Sequence, residues 1–319
     1  MSDTASPLVV VTPVYEDAQA SSQLFRELAA VFRRQVYIVA VDDGSVRQPV
    51  DAGSIASAAV DGVVLTLRRN VGHQRAIAIG LSFVAENMPT ASLVVVMDSD
   101  GEDLPSSIPS LLDKLESPDI DVVVARRKSR VETLRFKMFY AVYKWLFRML
   151  TGRRIDFGNF MALKATAVRR LAAMQELWIH VAGCALTSKL RLATCPQDRG
   201  PRYAGQSKMN FVGLALHGFK GLMVFAEDVL VRVGIACALV AALSVLGGIA
   251  SVALKLSGFA TPGWFSVAVG ILFLVFLQTG ALTLMSLMLT GVTRSGTMSQ
   301  IAYRDFIDRV TPANDCVEN

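Results

Sequence analysis

Two long uncharged runs near the C-terminus constrain the fold more than any other feature of this sequence. No charged side chain occurs in residues 233–254, or again in residues 256–293. As helices, both runs are long enough to cross the ~30 Å hydrocarbon core of a bilayer. A segment with two glycines and a proline, residues 257–263, separates them. The pattern predicts a transmembrane helical hairpin over residues 229–293, with a pair of buried core helices as the alternative.

Positive charge flanks the two apolar runs. Arg232 precedes them, Arg294 and Arg304 follow them, and Lys255 is the one basic residue near the turn. By the positive-inside rule, both flanks are expected in the cytosol. Residues 1–7 show no basic and apolar leader, which also favours a cytosolic N-terminal domain. We therefore expect a multi-pass protein of the cell inner membrane.

Cysteine and histidine usage argues against several classes of site. The four cysteines are scattered without a CxxC pair, and the three histidines lack metal-ligand spacing. Neither a disulfide framework nor a zinc site is expected. The net charge of +5 reflects basic residues crowded into residues 126–154 rather than the whole chain, and no nucleic-acid partner is predicted.

The first 130 residues alternate short apolar runs with helical patterns. Strands are predicted at Leu8–Thr12, Val36–Val41, Val63–Leu67, Ser92–Met97 and Asp121–Ala125. Helices are predicted at Ser21–Phe32, Gln74–Glu86 and Ile108–Leu115. Such alternation predicts an α/β fold with a mostly parallel sheet, in which ligands bind beyond the carboxyl ends of the strands. Polar clusters follow four of those ends, at Thr12–Asp17, Asp42–Ser45, Arg68–Gly72 and Asp98–Asp103.

The last of these clusters is an acidic turn. Asp98 and Asp100 are two residues apart, and carboxylate oxygens in this arrangement suit Mg²⁺ or Mn²⁺. A calcium EF-hand does not fit, because Gly101 is fourth in the loop rather than sixth and a strand precedes it. A solvated acidic turn remains the alternative. The sequence contains no Walker A loop and no GxGxxG turn.

Five segments in chain order resemble one family. They are Thr12–Asp17, Val41–Ser45, Arg69–Gln74, Asp98–Pro105 and Arg202–Lys208. Together they resemble the family 2 glycosyltransferases of GT-A fold, and within them the polyprenyl-phosphate glycosyltransferases. That group includes dolichol-phosphate mannose synthase and the bacterial undecaprenyl-phosphate enzymes. The resemblance covers nearly the whole chain and implies a Rossmann-like, mostly parallel sheet, followed by amphipathic interface helices and a two-helix transmembrane hairpin.

The resemblance also implies roles for individual residues. The residues expected to bind the nucleotide-sugar donor are Pro13, Tyr15, Glu16, Asp43 and Asp98. Asp98 and Asp100 would bind Mg²⁺ or Mn²⁺, with Glu102 where relatives often carry a glutamine ligand. Arg202 and Lys208 would lie in the segment that closes over phosphates and would contribute to binding the acceptor phosphate. The acidic turn departs from the common form DADLQDPP, because this chain reads DSDGEDLP.

The implied reaction moves a sugar from a nucleoside diphosphate to the phosphate of a polyprenyl phosphate. A divalent ion on Asp98 and Asp100 would neutralise charge on the leaving group. The acceptor phosphate has a second pKa of ~6, so it is largely ionised near neutral pH and needs no strong base. Asp156 is still a candidate to orient the acceptor or to accept a proton. A single displacement would invert the anomeric centre.

A basic segment precedes an aromatic helical pattern. Arg127, Arg130 and Lys137 are predicted to bind the lipid phosphate, because a guanidinium binds two phosphate oxygens at once. A solvated basic loop attracted to anionic headgroups is the alternative. Aromatic and leucine side chains recur at helical spacing over about 132–151, which predicts a helix in the membrane interface. A core helix is the alternative.

The predicted organisation has four parts: a cytosolic GT-A domain over residues 1–205, a second interface helix over 206–228, the hairpin over 229–293 and a cytosolic tail over 294–319. The expected partners are a nucleotide-sugar, a polyprenyl phosphate and the lipid bilayer, and self-association into a homo-oligomer is left open.

Three other functions stay under consideration. A family 2 transferase with another lipid or glycan acceptor would share the same donor site. A processive polysaccharide synthase is disfavoured, because Gln175–Trp178 has no arginine before its tryptophan and only two spans are predicted. A non-catalytic membrane scaffold is disfavoured by the intact pair Asp98 and Asp100.

Overall fold

A computed structural model describes residues 8–127, 134–153, 157–203, 211–259, 261, 263–295 and 302–314. The strands are β1 (Leu8–Val14), β2 (Val36–Asp42), β3 (Asp61–Leu67), β4 (Leu93–Val96), β5 (Val122–Arg127), β6 (Met161–Lys164), β7 (Leu192–Gln197) and β8 (Ile307–Pro312). The α-helices are α1 (Ala18–Phe32), α2 (Ala52–Ser57), α3 (His73–Asn87), α4 (Ile108–Leu115), α5 (Leu134–Thr151), α6 (Ala165–Ala172), α7 (Val181–Thr187), α8 (Phe211–Met223), α9 (Ala226–Leu256) and α10 (Trp264–Ser295). They divide between two compact units, of which the first carries the sheet and the second carries α9 and α10.

The first unit is built on one mixed sheet of eight strands in the order β7-β5-β6-β4-β1-β2-β3-β8. Its central strands β4, β1, β2 and β3 run parallel to one another. β6 is antiparallel to both of its neighbours, and β8 is antiparallel to β3. The parallel core confirms the predicted α/β class. It also brings the carboxyl ends of β1, β2, β3 and β4 to the same edge of the sheet.

Both faces of the sheet are covered by helices, because its central strands are apolar on both sides. All seven residues of β1 are buried, as expected for a strand in a parallel sheet. Val9 and Val11 pack with α3, whereas Val10 packs with α1 and α4. Gly80 allows α3 to lie close to β1, since a Cβ atom there would come within 2.5 Å of Val11. The close packing fixes the N-terminus of α3 at the carboxyl edge.

The five predicted strands are confirmed with bounds that shift by at most two residues. One change of two residues is at β1, which continues through Pro13 to Val14 although the prediction ends at Thr12. Proline removes one N–H donor, but the Val14 carbonyl still accepts a hydrogen bond from Asp43 N at 2.8 Å. The short elements α2, β6, α6, α7 and β7 were not predicted.

The C-terminal segment belongs to the sheet unit. The sequence assigns residues 294–319 only to a tail, whereas β8 extends the sheet beyond β3. Two bonds hold its ends: Arg68 N donates to Phe306 O at 2.9 Å and Ala313 N donates to Gly62 O at 2.9 Å. Tyr303, 8% exposed, packs in the core, and its hydroxyl accepts from Asn87 Nδ2 at 3.0 Å. β8 thus covers the edge of β3.

We expect Tyr303→Ala to lower the free energy of unfolding by about 3 kcal/mol, because it empties a buried aromatic site. Val310→Ala is the matched control on the same segment, since Val310 is 45% exposed, and it should cost less than about 1 kcal/mol. Thermal unfolding of the solubilised full chain, followed by near-UV circular dichroism, measures both. Equal losses for the two variants would contradict a structural role for this segment.

The second unit contains the two apolar helices. Within the described residues, Ala226–Leu256 and Trp264–Leu289 are long and apolar enough to cross a membrane. Burial inside the structure covers 17% of the most apolar 18-residue stretch of α9 and none of that of α10. Core helices of a soluble protein would be mostly buried, so the exposure of both helices argues against that alternative. The two helices coincide with the two apolar runs from which the sequence predicts a transmembrane hairpin.

Two further helices carry exposed apolar stripes. On α5, Phe147 is 1% exposed and packs edge-on against Phe225, with ring centroids 5.6 Å apart. Phe147 therefore lies inside its unit, although it is one of the aromatic residues over about 132–151 that the sequence predicts to face the membrane interface. Among the α5 side chains that the structure describes, the large apolar ones that are exposed are Val142, Trp145 and Met149. Among the described side chains of α8 they are Leu216, Phe219 and Met223, at the same helical spacing.

Candidate active site

A cleft of about 130 Å³ opens at the carboxyl edge of the sheet. It is lined by Pro13, Val14, Tyr15, Asp43, Asn70, Gly72 and His73. These residues come from the end of β1, the loops after β1, β2 and β3, and the first residue of α3, which the parallel sheet brings together. The cleft thus unites three residues expected to bind the donor, namely Pro13, Tyr15 and Asp43. The Tyr15 side chain is 43% exposed.

Asp43 is held rigidly in this cleft. Its Oδ1 accepts a hydrogen bond from Val71 N at 2.7 Å, and its Oδ2 accepts one from Gly72 N at 2.9 Å. Burial raises the pKa of Asp43 above its usual value, and the two N–H donors only partly offset that rise. Gly44 has a φ of +68°, and a Cβ atom there would come within 2.5 Å of the Arg69 backbone. The turn after β2 therefore fits tightly against the loop after β3.

Glu16, another residue expected to bind the donor, directs its carboxylate to the backbone of the loop after β2. Its backbone is left-handed, with a φ of +50°. Its carboxylate accepts hydrogen bonds from the backbone N–H groups of Val46, Arg47 and Gln48 at 2.8, 3.0 and 2.8 Å. These bonds, led by the one from Val46, hold the pKa of Glu16 below its usual value. Glu16 therefore shapes the loop after β2.

The acidic turn follows β4 and is organised by its own carboxylates. Asp103 Oδ2 accepts from Asp98 N at 3.0 Å, and Asp100 Oδ1 accepts from Glu102 N at 3.0 Å. Gly101 has a φ of +90°, a conformation that favours glycine. These bonds give the turn a defined shape at the end of the buried strand.

His73 joins the cleft to the acidic turn. It is the first residue of α3, and its Nε2 lies 3.2 Å from Asp98 Oδ1. Burial by itself lowers the pKa of His73, but the negative charges of Asp98, Asp103 and Asp100 outweigh burial and raise it above the usual value. His73 was not predicted, because the only histidine pattern considered was zinc-ligand spacing. Its place beside Gln74 in the segment Arg69–Gln74 was the available signal.

Asn159 lies at the same nitrogen of His73 that faces Asp98, and a chain of polar contacts extends from it. Asn159 Nδ2 lies 3.1 Å from His73 Nε2, and Asn159 Oδ1 accepts from Gln74 Nε2 at 3.2 Å. Gln74 Oε1 in turn accepts from Val181 N at 2.7 Å. Asn159 therefore couples the segment before β6 to the start of α3, and Gln74 extends this contact to α7.

Two arginines lie on the acidic turn. Arg202 Nη2 is 2.9 Å from Asp100 Oδ2, and Arg202 Nε donates to Glu102 Oε1 at 2.9 Å. Arg199 forms an ion pair with the other oxygen of Glu102. Arg202 was expected near phosphates, whereas Arg199 was not predicted. Its signal is its position three residues before Arg202.

Several predicted site residues lie outside the described residues. They are Asp156, Arg130 and Lys208. Arg127 ends β5 and Lys137 lies in α5, but their side chains are also outside the description.

The pair Asp98 and Asp100 fits a hard divalent cation. Within the described ranges, no group of three histidine, cysteine, aspartate or glutamate side chains is arranged to hold a metal ion. The two aspartates nevertheless offer oxygen ligands of the kind that Mg²⁺ and Mn²⁺ prefer. Burial raises the pKa of Asp100, and the negative charge of Asp98 raises it further. A shared cation would remove this repulsion, so the donor set suits such an ion.

A family model matches the sheet and most of this site. Residues 9–178 match the model described as glycosyl transferase family 2, and this range is more than half of the 319-residue chain. The chain belongs to glycosyl transferase family 2. The cleft and the acidic turn both lie within the range that matches the family, whereas Arg199 and Arg202 lie beyond it.

Relatives with curated names share similarity over a longer part of the chain. It is 27% identical over 282 residues to an undecaprenyl-phosphate 4-deoxy-4-formamido-L-arabinose transferase of Klebsiella pneumoniae, covering 85% of this chain and 83% of that protein. It is 28% identical over 214 residues to a transferase of the same name from Enterobacter sp., covering 64% of this chain and 63% of that protein. The similarity to the Klebsiella protein therefore extends well beyond the family match.

A solved structure shares the fold. The crystal structure of glucosyl-3-phosphoglycerate synthase from Mycobacterium tuberculosis, in complex with Mn²⁺ and UDP-glucose, matches with a TM-score of 0.52 at 15% identity. The match covers 70% of this chain and 79% of that one. At this identity the likeness concerns the fold alone, and it confirms the GT-A fold expected from the sequence.

Proposed function

We propose that this protein transfers a sugar from a nucleotide-sugar to undecaprenyl phosphate, or a similar polyprenyl phosphate, at the cytosolic face of a membrane. The observation that carries the proposal is the cleft of Tyr15 and Asp43, joined through His73 to the acidic turn at one edge of the sheet. Relatives 27% and 28% identical are named for transfer to undecaprenyl phosphate, which supports the acceptor.

The cleft is the proposed site for the base and ribose of the donor. The exposed Tyr15 ring offers a flat apolar face, and Pro13 lines the cleft beside it. Each oxygen of Asp43 accepts one backbone N–H and keeps a second lone pair for an N–H or O–H of the nucleoside. His73 lies between this end and Asp98, so the diphosphate would extend toward the acidic turn.

The proposed metal ligands in the acidic turn are Asp98 and Asp100. When bound, Mg²⁺ or Mn²⁺ neutralises the negative charge that grows on the leaving diphosphate. His73 contacts Asp98 at 3.2 Å and would orient that carboxylate. Arg202, close to Asp100, adds positive charge where the phosphates would lie.

The acceptor phosphate is the proposed nucleophile, and one displacement would invert the anomeric centre. Its second pKa of ~6 leaves it largely ionised near neutral pH, so it attacks without a strong base. The proposed cations around it remain Arg127, Arg130 and Lys137, with Lys208 in the same role. Asp156 keeps its proposed role of orienting the acceptor.

The membrane part of the proposal rests on α9 and α10. The exposed stripes of α5 and α8, which include Trp145 and Phe219, are the proposed contacts with the bilayer interface. The sheet unit contains both residues 155–224, before the hairpin, and residues 299–319, after it. β8 pairs with β3 inside that unit, so both flanks of the hairpin are expected on one side of the membrane.

Reporter fusions test this topology. Fusions after Met1 and after Asn319 should both report the cytosol, and a reporter inserted near Gly258 should report the opposite side. The physical reason is the pairing of β8 with β3 together with the positive flanks. A C-terminus protected from protease in inside-out vesicles would contradict both the topology and the cytosolic face.

Transfer itself is tested with purified protein, Mn²⁺ and undecaprenyl phosphate against a panel of UDP-, GDP- and dTDP-sugars. We expect a lipid-linked sugar product from one donor class, with inversion at the anomeric carbon seen by NMR of the product. A soluble acceptor used better than undecaprenyl phosphate would contradict the acceptor. A non-catalytic scaffold would give no transfer and no hydrolysis with any donor.

A further inference from the structure

The segment 199–203 is fastened to the acidic turn by its main chain. Gly200 N donates to Glu102 O at 3.0 Å, and Tyr203 N donates to Asp100 O at 2.9 Å. These two bonds lie on either side of Arg202. They fix the direction in which the backbone presents the side chains of this segment.

The Tyr203 side chain also holds the segment 199–203 against the acidic turn. Its ring lies against Gly101, where a Cβ atom would come within 2.8 Å of the ring, so a larger residue would displace the segment. Its hydroxyl donates to Glu27 Oε2 at 2.6 Å, which ties the segment to α1. Arg199 and Arg202 are therefore presented to the acidic turn by an anchored stretch of chain.

The Glu102 carboxylate contacts both arginines. Its side chain is 14% exposed, its Oε1 accepts from Arg202 Nε at 2.9 Å, and its Oε2 is paired with Arg199. Arg202 also contacts Asp100 Oδ2 at 2.9 Å through Nη2, the far end of its guanidinium. One arginine thus bridges Glu102 and a proposed metal ligand.

We propose that Glu102 is a positioning residue that holds Arg199 and Arg202 for the donor diphosphate, and that it is not a ligand of the metal. This inference rests on the proposed function, because the target of the arginines is the diphosphate of a nucleotide-sugar. It replaces the role expected from the sequence, in which Glu102 stands where relatives carry a glutamine ligand.

The reason is the positive charge that already lies beside each carboxylate of the acidic turn. Each oxygen of Glu102 is already paired with a guanidinium, so a metal ion bound there would lie beside two positive charges, on side chains that are 29% and 40% exposed, and would be repelled by them. Arg202 can release Asp100 more easily than Glu102. Its Nη2 can leave Asp100 while its Nε stays on Glu102, because the guanidinium carries five separate N–H donors. Asp100 is then free for the cation, and the freed end of Arg202 faces the phosphates.

Binding measurements on the full chain in detergent test this role, with Mn²⁺ alone and Mn²⁺ with pyrophosphate as the probes. Glu102→Ala should keep its Mn²⁺ affinity within about twofold and lose pyrophosphate affinity by roughly tenfold or more. Asp100→Ala is the matched control and should lose Mn²⁺ affinity. Glu102 would be a ligand after all if Glu102→Ala lost as much Mn²⁺ affinity as Asp100→Ala.

Glu102→Gln separates the two roles even if the alanine variant unfolds. A glutamine ligand would keep both affinities, whereas a positioning carboxylate without its charge should lose pyrophosphate affinity and keep Mn²⁺ affinity. Thermal unfolding checks that the variant is folded. Unchanged pyrophosphate affinity in Glu102→Gln would overturn the inference.

A mutant cycle completes the test. In the double variant Arg199→Ala, Arg202→Ala, adding Glu102→Ala should cost little further pyrophosphate affinity, because its targets are already absent. A full additional loss would show that Glu102 acts independently of the arginines. A wild-type protein that binds pyrophosphate but transfers nothing to undecaprenyl phosphate would contradict the proposed acceptor and leave this inference standing.

Discussion

Asp100→Asn should abolish metal-dependent sugar transfer while the protein stays folded. The substitution keeps the size of the side chain and removes the charge that a hard cation needs. Charge neutralisation by a bound metal is worth several kcal/mol, so we expect at least about a hundredfold loss of kcat/KM. Initial rates with saturating undecaprenyl phosphate and the active donor, over a range of Mn²⁺ concentrations, measure the loss.

The control for this prediction is Asp61→Asn. Asp61 is an exposed carboxylate at the first residue of β3, at the edge of the sheet opposite the acidic turn. It should keep wild-type kinetics. Excess EDTA should abolish transfer by the wild-type protein, and added Mn²⁺ or Mg²⁺ should restore it. Full activity in EDTA, or an active Asp100→Asn variant, would remove the metal from the mechanism.

The double variant Arg127→Ala, Arg130→Ala should lose acceptor turnover by roughly a hundredfold. One charged hydrogen bond to phosphate is worth about 1.5–3 kcal/mol, or roughly tenfold or more in rate, and two such losses multiply if they are independent. The loss should appear when undecaprenyl phosphate is varied. Affinity for the nucleotide-sugar should be nearly unchanged, because the donor cleft is built from other loops.

Arg170→Ala is the matched control for charge alone. Arg170 is exposed on α6, so its removal lowers the net charge without touching the predicted acceptor site. It should keep wild-type acceptor kinetics in vesicles with and without anionic lipid. If the double variant also matches wild type, the basic segment is a solvated loop and the acceptor phosphate is bound elsewhere.

The sheet was predictable because its signal is local. The four residues of β4 and all seven of β1 are buried or nearly so and mainly β-branched, and strands buried on both faces need such runs. The apolar helices were predictable for the same reason, since length and absence of charge are read directly from the sequence. The strands β6 and β8 were not, because short antiparallel strands take their partners from distant parts of the chain.

In the candidate site, too, contacts between neighbours in the sequence were predictable and contacts between distant residues were not. Asp98 and Asp100 are neighbours in the sequence, so their pairing in one turn could be predicted from their spacing alone. The contact of His73 with Asp98 joins the ends of β3 and β4, and the bridge from Arg202 to Glu102 spans 100 residues. Local spacing does not reveal such contacts, because they exist only once parallel strands bring separate loops to one edge.

By itself, the sequence determined the α/β class, the acidic turn, the two apolar helices and the family. Each depends on interactions between residues close in the chain, namely strand burial, turn geometry and helix length. Only the tertiary structure decided that β8 extends the sheet beyond β3, that Phe147 is buried within its own unit, and that Glu102 contacts two arginines. These depend on which distant surfaces pack together, and that choice is made by the burial of the whole core rather than by any one segment.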